Sequence, residues 1–278
     1  MGNLPKITIL TPTFNRTTLL ARSIQSVISQ NYDNLEYIIV DGGSTDGTLD
    51  VLKKYDQFIT KWISEPDDGP MHAVLKGYAL ATGDYIFLLP SDDYLEPDIL
   101  NSIGNILKAE KCEVLHGNLV YYDTDHNSRF LCKPWLTTNG DIYKNRYKWP
   151  SVFLNTYFVK KIIYDQFFLS LNTRYNFAGD FETFQMLLDR HATFRYFDKT
   201  FVNVSSGGIS DNAFKGYFQI AQISMDHGCS KVSALYSLLK KLLSRGVSTM
   251  LLWFGLVRLR NSLLTATCRN IIKLANDK

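Results

Sequence analysis

The chain has 278 residues, 45% of them hydrophobic, and its 30 Lys and Arg against 27 Asp and Glu give a net charge of +3. This length and composition suffice for one α/β domain with an appendage. Four cysteines without paired spacing argue against a disulfide framework, and five histidines without a His-x-x-x-His pair argue against a zinc site. No Gly-x-Gly-x-x-Gly fingerprint or complete P-loop occurs, which disfavours dehydrogenases and kinases.

Short apolar runs alternate with amphipathic segments through the first third of the chain. The pattern predicts strands at residues 7–11, 36–40, 58–64 and 85–89, and helices at 19–28, 49–55 and 71–81. Strands that alternate with helices predict an α/β fold with a mostly parallel sheet flanked by helices.

A polar or acidic cluster follows each predicted strand. The clusters occupy residues 11–16, 41–46, 65–69 and 91–93. The carboxyl ends of parallel strands meet at one edge of a sheet, which is where ligands of open α/β sheets bind. The sequence therefore predicts one ligand site at that edge.

Two adjacent carboxylates, Asp92 and Asp93, follow the fourth predicted strand. Carboxylate oxygens suit Mg²⁺ or Mn²⁺, ions that readily share their ligand shell with phosphate oxygens. A solvated Ser-Asp-Asp turn before a helix at Pro97 would explain the same residues. The clusters after the other three strands favour the metal site.

Five motifs in order and spacing resemble those of the family 2 inverting glycosyltransferases. They are Ile-Leu-Thr-Pro-Thr-Phe-Asn-Arg (9–16), Val-Asp-Gly-Gly-Ser-Thr-Asp-Gly-Thr (40–48), Ser-Glu-Pro-Asp-Asp-Gly (64–69), Lys-Gly-Tyr-Ala-Leu-Ala-Thr-Gly-Asp (76–84) and Ser-Asp-Asp (91–93). The resemblance implies an A-type glycosyltransferase fold, a nucleotide-diphosphate-sugar donor, UDP-linked in our interpretation, and Mn²⁺ or Mg²⁺. It also implies donor-binding roles for Thr11, Pro12, Asp41, Asp67, Lys76 and Asp92, and a metal-binding role for Asp93.

Residues 176–188 resemble the acceptor-side segment of the same family, in which an Asp before an aromatic residue and a Glu opens a helix. By that resemblance Asp180 is the catalytic base. A positioned carboxylate can remove the proton of an attacking hydroxyl, which agrees with this role. Asp180 could instead only cap the helix that runs through Leu188. Residues 205–210 resemble a family loop near the diphosphate, although a plain Gly-Ser turn would look similar.

The last 48 residues differ from the rest in charge. Residues 231–278 hold nine Lys or Arg and one acid, a charge of +8, so the preceding 230 residues sum to −5. Basic residues interleaved with leucines predict amphipathic helices that suit an anionic membrane surface. A helical cap that packs on the catalytic domain is the alternative. The scarcity of stacking aromatics among the basic residues argues against nucleic acid.

We interpret residues 1–230 as a catalytic domain, with a donor half at 5–100 and an acceptor half at 101–230, followed by a basic helical tail at 231–278. The expected activity is inverting transfer of a sugar to a hydroxyl of a glycan or polyprenyl-linked acceptor in cell-surface polysaccharide biosynthesis. A catalytically silent nucleotide-sugar-binding protein and a nucleotidyltransferase are the alternatives. Free thiols and the absence of a signal-peptide core near residue 1 predict a cytoplasmic protein, peripheral on the inner face of the cell membrane.

Overall fold

A computed structural model describes residues 3–123, 127–134, 136–147, 154–171, 173–205, 213–253 and 271–274. In the first half, strands alternate with helices as predicted. In chain order the elements are β1 (Ile7–Thr13), α1 (Thr17–Ile28), β2 (Leu35–Asp41), α2 (Thr48–Tyr55), β3 (Lys61–Ser64), α3 (Pro70–Leu80), β4 (Tyr85–Leu88), β5 (Tyr94–Leu95) and α4 (Ile99–Glu110). The third strand is shorter than predicted, because Asp56–Phe58 forms a 3₁₀ turn before it.

The second half begins with strands that no local pattern had indicated. Its elements are β6 (Val114–Asp123), β7 (Ser128–Cys132), α5 (Asn139–Lys144), β8 (Phe158–Lys160), α6 (Lys161–Tyr164), α7 (Gly179–Asp189), β9 (Phe194–Ser205), α8 (Ala213–Asp226), α9 (Lys231–Trp253) and β10 (Ile271–Leu274). The predicted helix through Leu188 is α7, and the predicted tail helix begins at Lys231. The tail is not helical throughout, since β10 pairs antiparallel with β7.

The ten strands of the described residues form one sheet, in the order β10-β7-β6-β8-β4-β1-β2-β3, with β9 paired to β6 and β5. From β4 to β3 the strands are parallel. β8 is antiparallel to both β4 and β6, and so joins the two halves of the sheet.

Side chains from successive strand positions enter hydrophobic cores on opposite faces of the sheet. Ile9 packs with residues of α1 and α4 on one face, whereas Leu10 packs with residues of α3 and α7 on the other. Both side chains are fully buried. This alternation follows from the two-residue period of a strand, and burial on both faces explains why β1 is an unbroken apolar run.

Candidate active site

A cleft of about 500 Å³ opens at the carboxyl ends of the parallel strands. Its walls combine residues that follow β1, β2, β3 and β4 with residues of α3, α7 and the end of β9. The strand register places Thr13 beside Asp41, and Asp41 beside Ser64. The polar clusters therefore meet at one edge of the sheet, as the sequence predicts.

Five of the eight predicted site residues line this cleft: Pro12, Asp67, Asp92, Asp93 and Asp180. They come from the end of β1, from the loops after β3 and β4, and from the first turn of α7. The structure thus brings the donor-side and acceptor-side motifs to one space, although they lie more than eighty positions apart in sequence.

The other three predicted residues, Thr11, Asp41 and Lys76, are not in the cleft wall. Thr11 is fully buried, and its hydroxyl lies 3.4 Å from Tyr37 Oη. Lys76 Nζ lies 2.8 Å from Glu65 Oε1 and donates to the carbonyl of Pro66 at 3.1 Å. Lys76 therefore holds the loop that carries Asp67.

Asp41 is also fully buried and organises the turn after β2. Its carboxylate accepts the N–H groups of Gly43 and Ser44 at 3.2 and 2.9 Å, and the Ser64 hydroxyl at 2.6 Å. The turn presents Gly42 to the cleft, where a Cβ atom would lie only 2.9 Å from Asp67 Oδ2. Asp41 and Gly42 thus determine how closely the Asp67 carboxylate approaches the turn.

The Ser-Asp-Asp turn buries one carboxylate and leaves the other half-buried. Asp93 is 2% exposed and accepts hydrogen bonds from Asn155 Nδ2, at 3.2 Å, and from the backbone N–H of Ser205. Burial, with Asp92 beside it, raises the pKa of Asp93 to about 8. Behind the turn, Arg22 donates to the Asp92 carbonyl at 2.9 Å and to the Ser205 hydroxyl at 3.0 Å.

The charge of the cleft wall fits a divalent cation. Among the described residues, its lining includes four carboxylates, Asp67, Asp92, Asp93 and Asp180, and one guanidinium, that of Arg16. A diphosphate entering such a cleft needs positive charge, which a metal at the Asp92–Asp93 pair would supply. Within the described ranges no group of three or more His, Cys, Asp or Glu forms a ready metal cage.

Asp180 lies in the first turn of α7, and its Oδ1 accepts the N–H of Phe181 at 2.7 Å. The N-cap residue of α7 is Ala178, so Asp180 stands within the first turn and not at the cap position, although its carboxylate does bind a backbone N–H group as the cap interpretation expects. Its side chain is exposed to the cleft. The protein atoms around the side chain nevertheless disfavour the charged form and raise its pKa to about 6.

Sequence reasoning gave no role to several residues of the site. Asn155 contacts Asp93 from the acceptor half, and no motif marks it. Asn176 and Phe177 line the cleft just before α7, and Asn176 Nδ2 donates to the carbonyl of Asp68 at 3.0 Å. Asn176 lies within the segment 176–188 that resembles the acceptor-side segment of the family, and that resemblance was the available signal. Of the predicted diphosphate loop at 205–210, Ser205 lines the cleft, and residues 206–210 lie outside the described residues.

Comparison with known proteins identifies the family. Residues 8–203, most of the chain, match the sequence profile described as Glycosyl transferase family 2. The chain belongs to this family. The family predicted from the motifs is therefore confirmed.

One relative of the chain is the hyaluronan synthase of Pasteurella multocida, which is 29% identical over 153 residues. That match covers 54% of this chain and 14% of the synthase. The chain spans about half or less of the length of the first curated relatives that it matches.

Two solved structures show the same fold. S. aureus TarS, in complex with UDP-GlcNAc, has a TM-score of 0.57 at 14% identity, covering 85% of this chain and 71% of that one. The mannosyltransferase PcManGT from Pyrobaculum calidifontis, in complex with GDP-Man and Mn²⁺, has a TM-score of 0.60 at 16% identity, covering 91% and 80%. The A-type glycosyltransferase fold predicted from the sequence is confirmed.

Proposed function

We propose that this protein transfers a sugar from a UDP-linked donor to a hydroxyl group of a glycan or lipid-linked acceptor, with inversion at the anomeric carbon. One observation carries the proposal. A single cleft holds the Asp92–Asp93 pair together with Asp180, a carboxylate whose pKa is raised to about 6. Donor and acceptor would thus meet within a space large enough for a nucleotide sugar.

The donor would occupy the side of the cleft formed by the parallel strands. Pro12, Asp67 and Asp92 are positioned to contact it directly. Thr11, Asp41 and Lys76 would act through the loops that they hold, since they lie outside the cleft wall. A UDP-linked donor is supported by TarS, which binds UDP-GlcNAc. PcManGT binds GDP-Man, so the guanine nucleotide is the competitor to test.

Asp93, with Asp92, would hold a divalent cation, Mn²⁺ or Mg²⁺. The carboxylates that line the cleft and the position of Asp93 beside Asp92 support this assignment, since a bound cation would displace the proton that the raised pKa of Asp93 favours. A bound cation would neutralise the charge that develops on the leaving diphosphate.

Asp180 would act as the general base. The acceptor hydroxyl oxygen forms a bond to the anomeric carbon while the bond from that carbon to the diphosphate oxygen breaks. The hydroxyl proton passes to the Asp180 carboxylate, and the electron pair of the broken bond leaves with the diphosphate. A base with a pKa near 6 is unprotonated at neutral pH and suits this transfer.

The acceptor would enter beside α7, where Asn176, Phe177 and Asp180 form the opposite wall. The match to a hyaluronan synthase supports a glycan acceptor. Synthesis of a cell-surface polysaccharide is the biological role that we infer.

Thermal stabilisation tests the donor assignment. A ligand that binds only the folded protein raises its melting temperature by mass action. We expect UDP-sugars with Mn²⁺ to raise it, GDP-mannose to have little effect, and a chelator to remove most of the UDP-sugar effect. Incubation with the stabilising donor and an oligosaccharide panel, followed by NMR of the anomeric proton, then reports transfer and inversion. A larger shift with GDP-mannose would refute the UDP assignment, and no shift with any nucleotide sugar would refute the proposed function.

A further inference from the structure

Helix α9 presents an apolar face that neither the cleft nor the core uses. Five residues form this face, the α9 stripe: Val232, Leu235, Tyr236, Leu239 and Leu243. Their exposed fractions run from 49% to 80%, and they make up half of the ten large apolar side chains exposed among the described residues. The three- and four-residue spacing places them along one side of the helix.

A different face of α9 packs against the rest of the domain. Ala234 and Leu238 are buried, and Lys241 Nζ lies 5.4 Å from the Tyr217 ring centre on α8. A helix needs only one buried stripe to be held on a domain. The α9 stripe is therefore a second apolar face, beyond what the cap interpretation of the tail requires.

Charge indicates what the stripe would contact. The sequence of α9 contains Lys231, Lys240, Lys241 and Arg245 and no acid, and Lys231 and Lys240 are exposed beside the stripe. A second copy of α9 would bring like charges together. The segment 254–278 has five basic residues and one acid, a charge of +4, and would be repelled in the same way. Only an anionic partner complements a face that is both apolar and basic.

We propose that the α9 stripe docks on an anionic lipid membrane, with the helix axis in the plane of the interface. The stripe would enter the boundary between headgroups and acyl chains while the lysines contact anionic headgroups. Among the helices of the described ranges, none combines the length and apolarity needed to cross a bilayer. This inference goes beyond the proposed function and does not depend on it.

The packing of α8 connects this surface to the cleft. Gln219 of α8 accepts the N–H of Phe177 at 2.9 Å, and Lys215 Nζ lies 5.3 Å from the ring centre of Phe177. Phe177 is part of the cleft wall. Docking through α9 would thus hold the acceptor side of the cleft close to the membrane.

Vesicle sedimentation with the full chain tests the proposal. The vesicles are pure phosphatidylcholine, or equal parts phosphatidylcholine and phosphatidylglycerol. We expect binding to the anionic vesicles only, weakening with added salt. Leu235→Ser should lower the partition coefficient roughly tenfold or more, and Lys231→Gln and Lys240→Gln roughly fivefold each.

Matched controls make the same changes elsewhere on the surface. Ile162→Ser alters an exposed isoleucine on α6, and the pair Lys53→Gln and Lys54→Gln removes two exposed charges on α2. Each control should bind vesicles like the wild type. The proposal is overturned if the control variants lose as much vesicle binding as the stripe variants, or if the wild type binds neutral and anionic vesicles equally.

Two other partners could cover the α9 stripe, a second copy of the chain or segment 254–278, and each would give a different experimental result. If the stripe joins two copies, analytical ultracentrifugation should show a dimer that Leu235→Ser dissociates. If segment 254–278 covers it, Leu235→Ser should lower the melting temperature as a core substitution does, without vesicle binding by the wild type. Either result overturns the proposal. Donor-induced stabilisation is measured without lipid, so failure here leaves the proposed function standing.

Discussion

At the scale of single residues, Asp180 combines exposure to the cleft with a pKa raised to about 6. A base must be unprotonated to accept a proton, so we expect turnover to rise as pH increases through about 6 and to level off above it. Asp180→Asn should lower kcat by roughly 10²–10⁴-fold. Initial rates against pH at saturating donor and acceptor measure both effects.

Asparagine is the informative replacement because it keeps an oxygen that can accept the Phe181 N–H. Stability and donor affinity should therefore match the wild type, as thermal unfolding and calorimetry would show. Near-normal turnover in this variant would contradict the base role and leave Asp180 as a contact at the start of α7.

Asp93 is the residue on which metal dependence should rest. Its carboxylate is buried beside Asp92 and is held by Asn155. We expect Asp93→Asn to abolish the part of nucleotide binding that depends on Mn²⁺, since an amide carries no charge to hold the ion. Isothermal titration with UDP, with and without Mn²⁺, measures the loss.

Asp68→Asn is the matched control for Asp93→Asn. Asp68 lies on the loop beside the cleft, its side chain is 92% exposed, and it does not line the cleft. Its removal should leave the Mn²⁺ dependence intact. If the two variants lose it equally, the general negative charge of this region would be responsible and Asp93 would not be a specific ligand.

At the scale of elements, the strands and helices of the donor half could be predicted from local sequence patterns, whereas the strands of the acceptor half could not. β1, β2 and β4 are apolar runs because both faces of the sheet are covered, and parallel strands joined by helices place their carboxyl ends together. β8, by contrast, is three residues long and pairs with β4 and β6 across large sequence separations. Such pairing leaves no periodic signal.

The residues of the candidate site likewise divide into those that the sequence predicts and those that it does not. Asp92 and Asp93 could be found because they follow a predicted strand, and Asp180 because its segment resembles the acceptor-side segment of the family. Asn155 could not, since its contact with Asp93 spans 62 positions and depends on the fold of the acceptor half. The burial of Thr11 and Asp41 could not be predicted either. A sequence motif does not show whether a side chain contacts the ligand or stabilises the loop.

Gly77 shows how α3 is packed against the sheet. A Cβ atom at this position would lie 2.1 Å from Leu10 Cδ1 and 3.0 Å from Val40 Cγ2, and both of those side chains are fully buried. Gly77→Ala should therefore overpack the core, at a cost of about 1–3 kcal/mol. This exceeds the roughly 1 kcal/mol by which alanine favours a helix over glycine. Urea denaturation measures the net loss.

Gly140 provides the comparison, since a Cβ atom there has no neighbour within 4 Å. Gly140→Ala in α5 should be neutral or slightly stabilising. Equal stability of the two variants would show that α3 can move away from the sheet, and that its position does not depend on Gly77.

At the scale of the whole molecule, one sheet spans both halves, and His116 lies inside it on β6. The side chain is fully buried, and neither ring nitrogen has a hydrogen-bond partner among the described residues. Aromatic rings of Tyr157, Phe194 and Tyr196 lie 5.5–6.4 Å from it. Burial lowers the pKa of His116 from its usual 6.5 to about 3.

This burial predicts how stability depends on pH. Between pH 6.5 and 3 the unfolded chain protonates His116 while the folded chain keeps it neutral. The contribution of His116 to the free energy of unfolding is therefore largest above pH 6.5 and falls with acidification by up to about 1.4 kcal/mol per pH unit, while Asp93, with its raised pKa, contributes with the opposite sign. His116→Leu removes the titrating group, and we expect this variant to lose less stability than the wild type when the pH falls from 7 to 4 in urea denaturation. His191→Asn is the control, because His191 is exposed and asparagine tolerates its positive φ of 55°. If the acid limb of His116→Leu runs parallel to that of the wild type, acid sensitivity must come from other groups, and the sheet accepts the charge of His116 without unfolding.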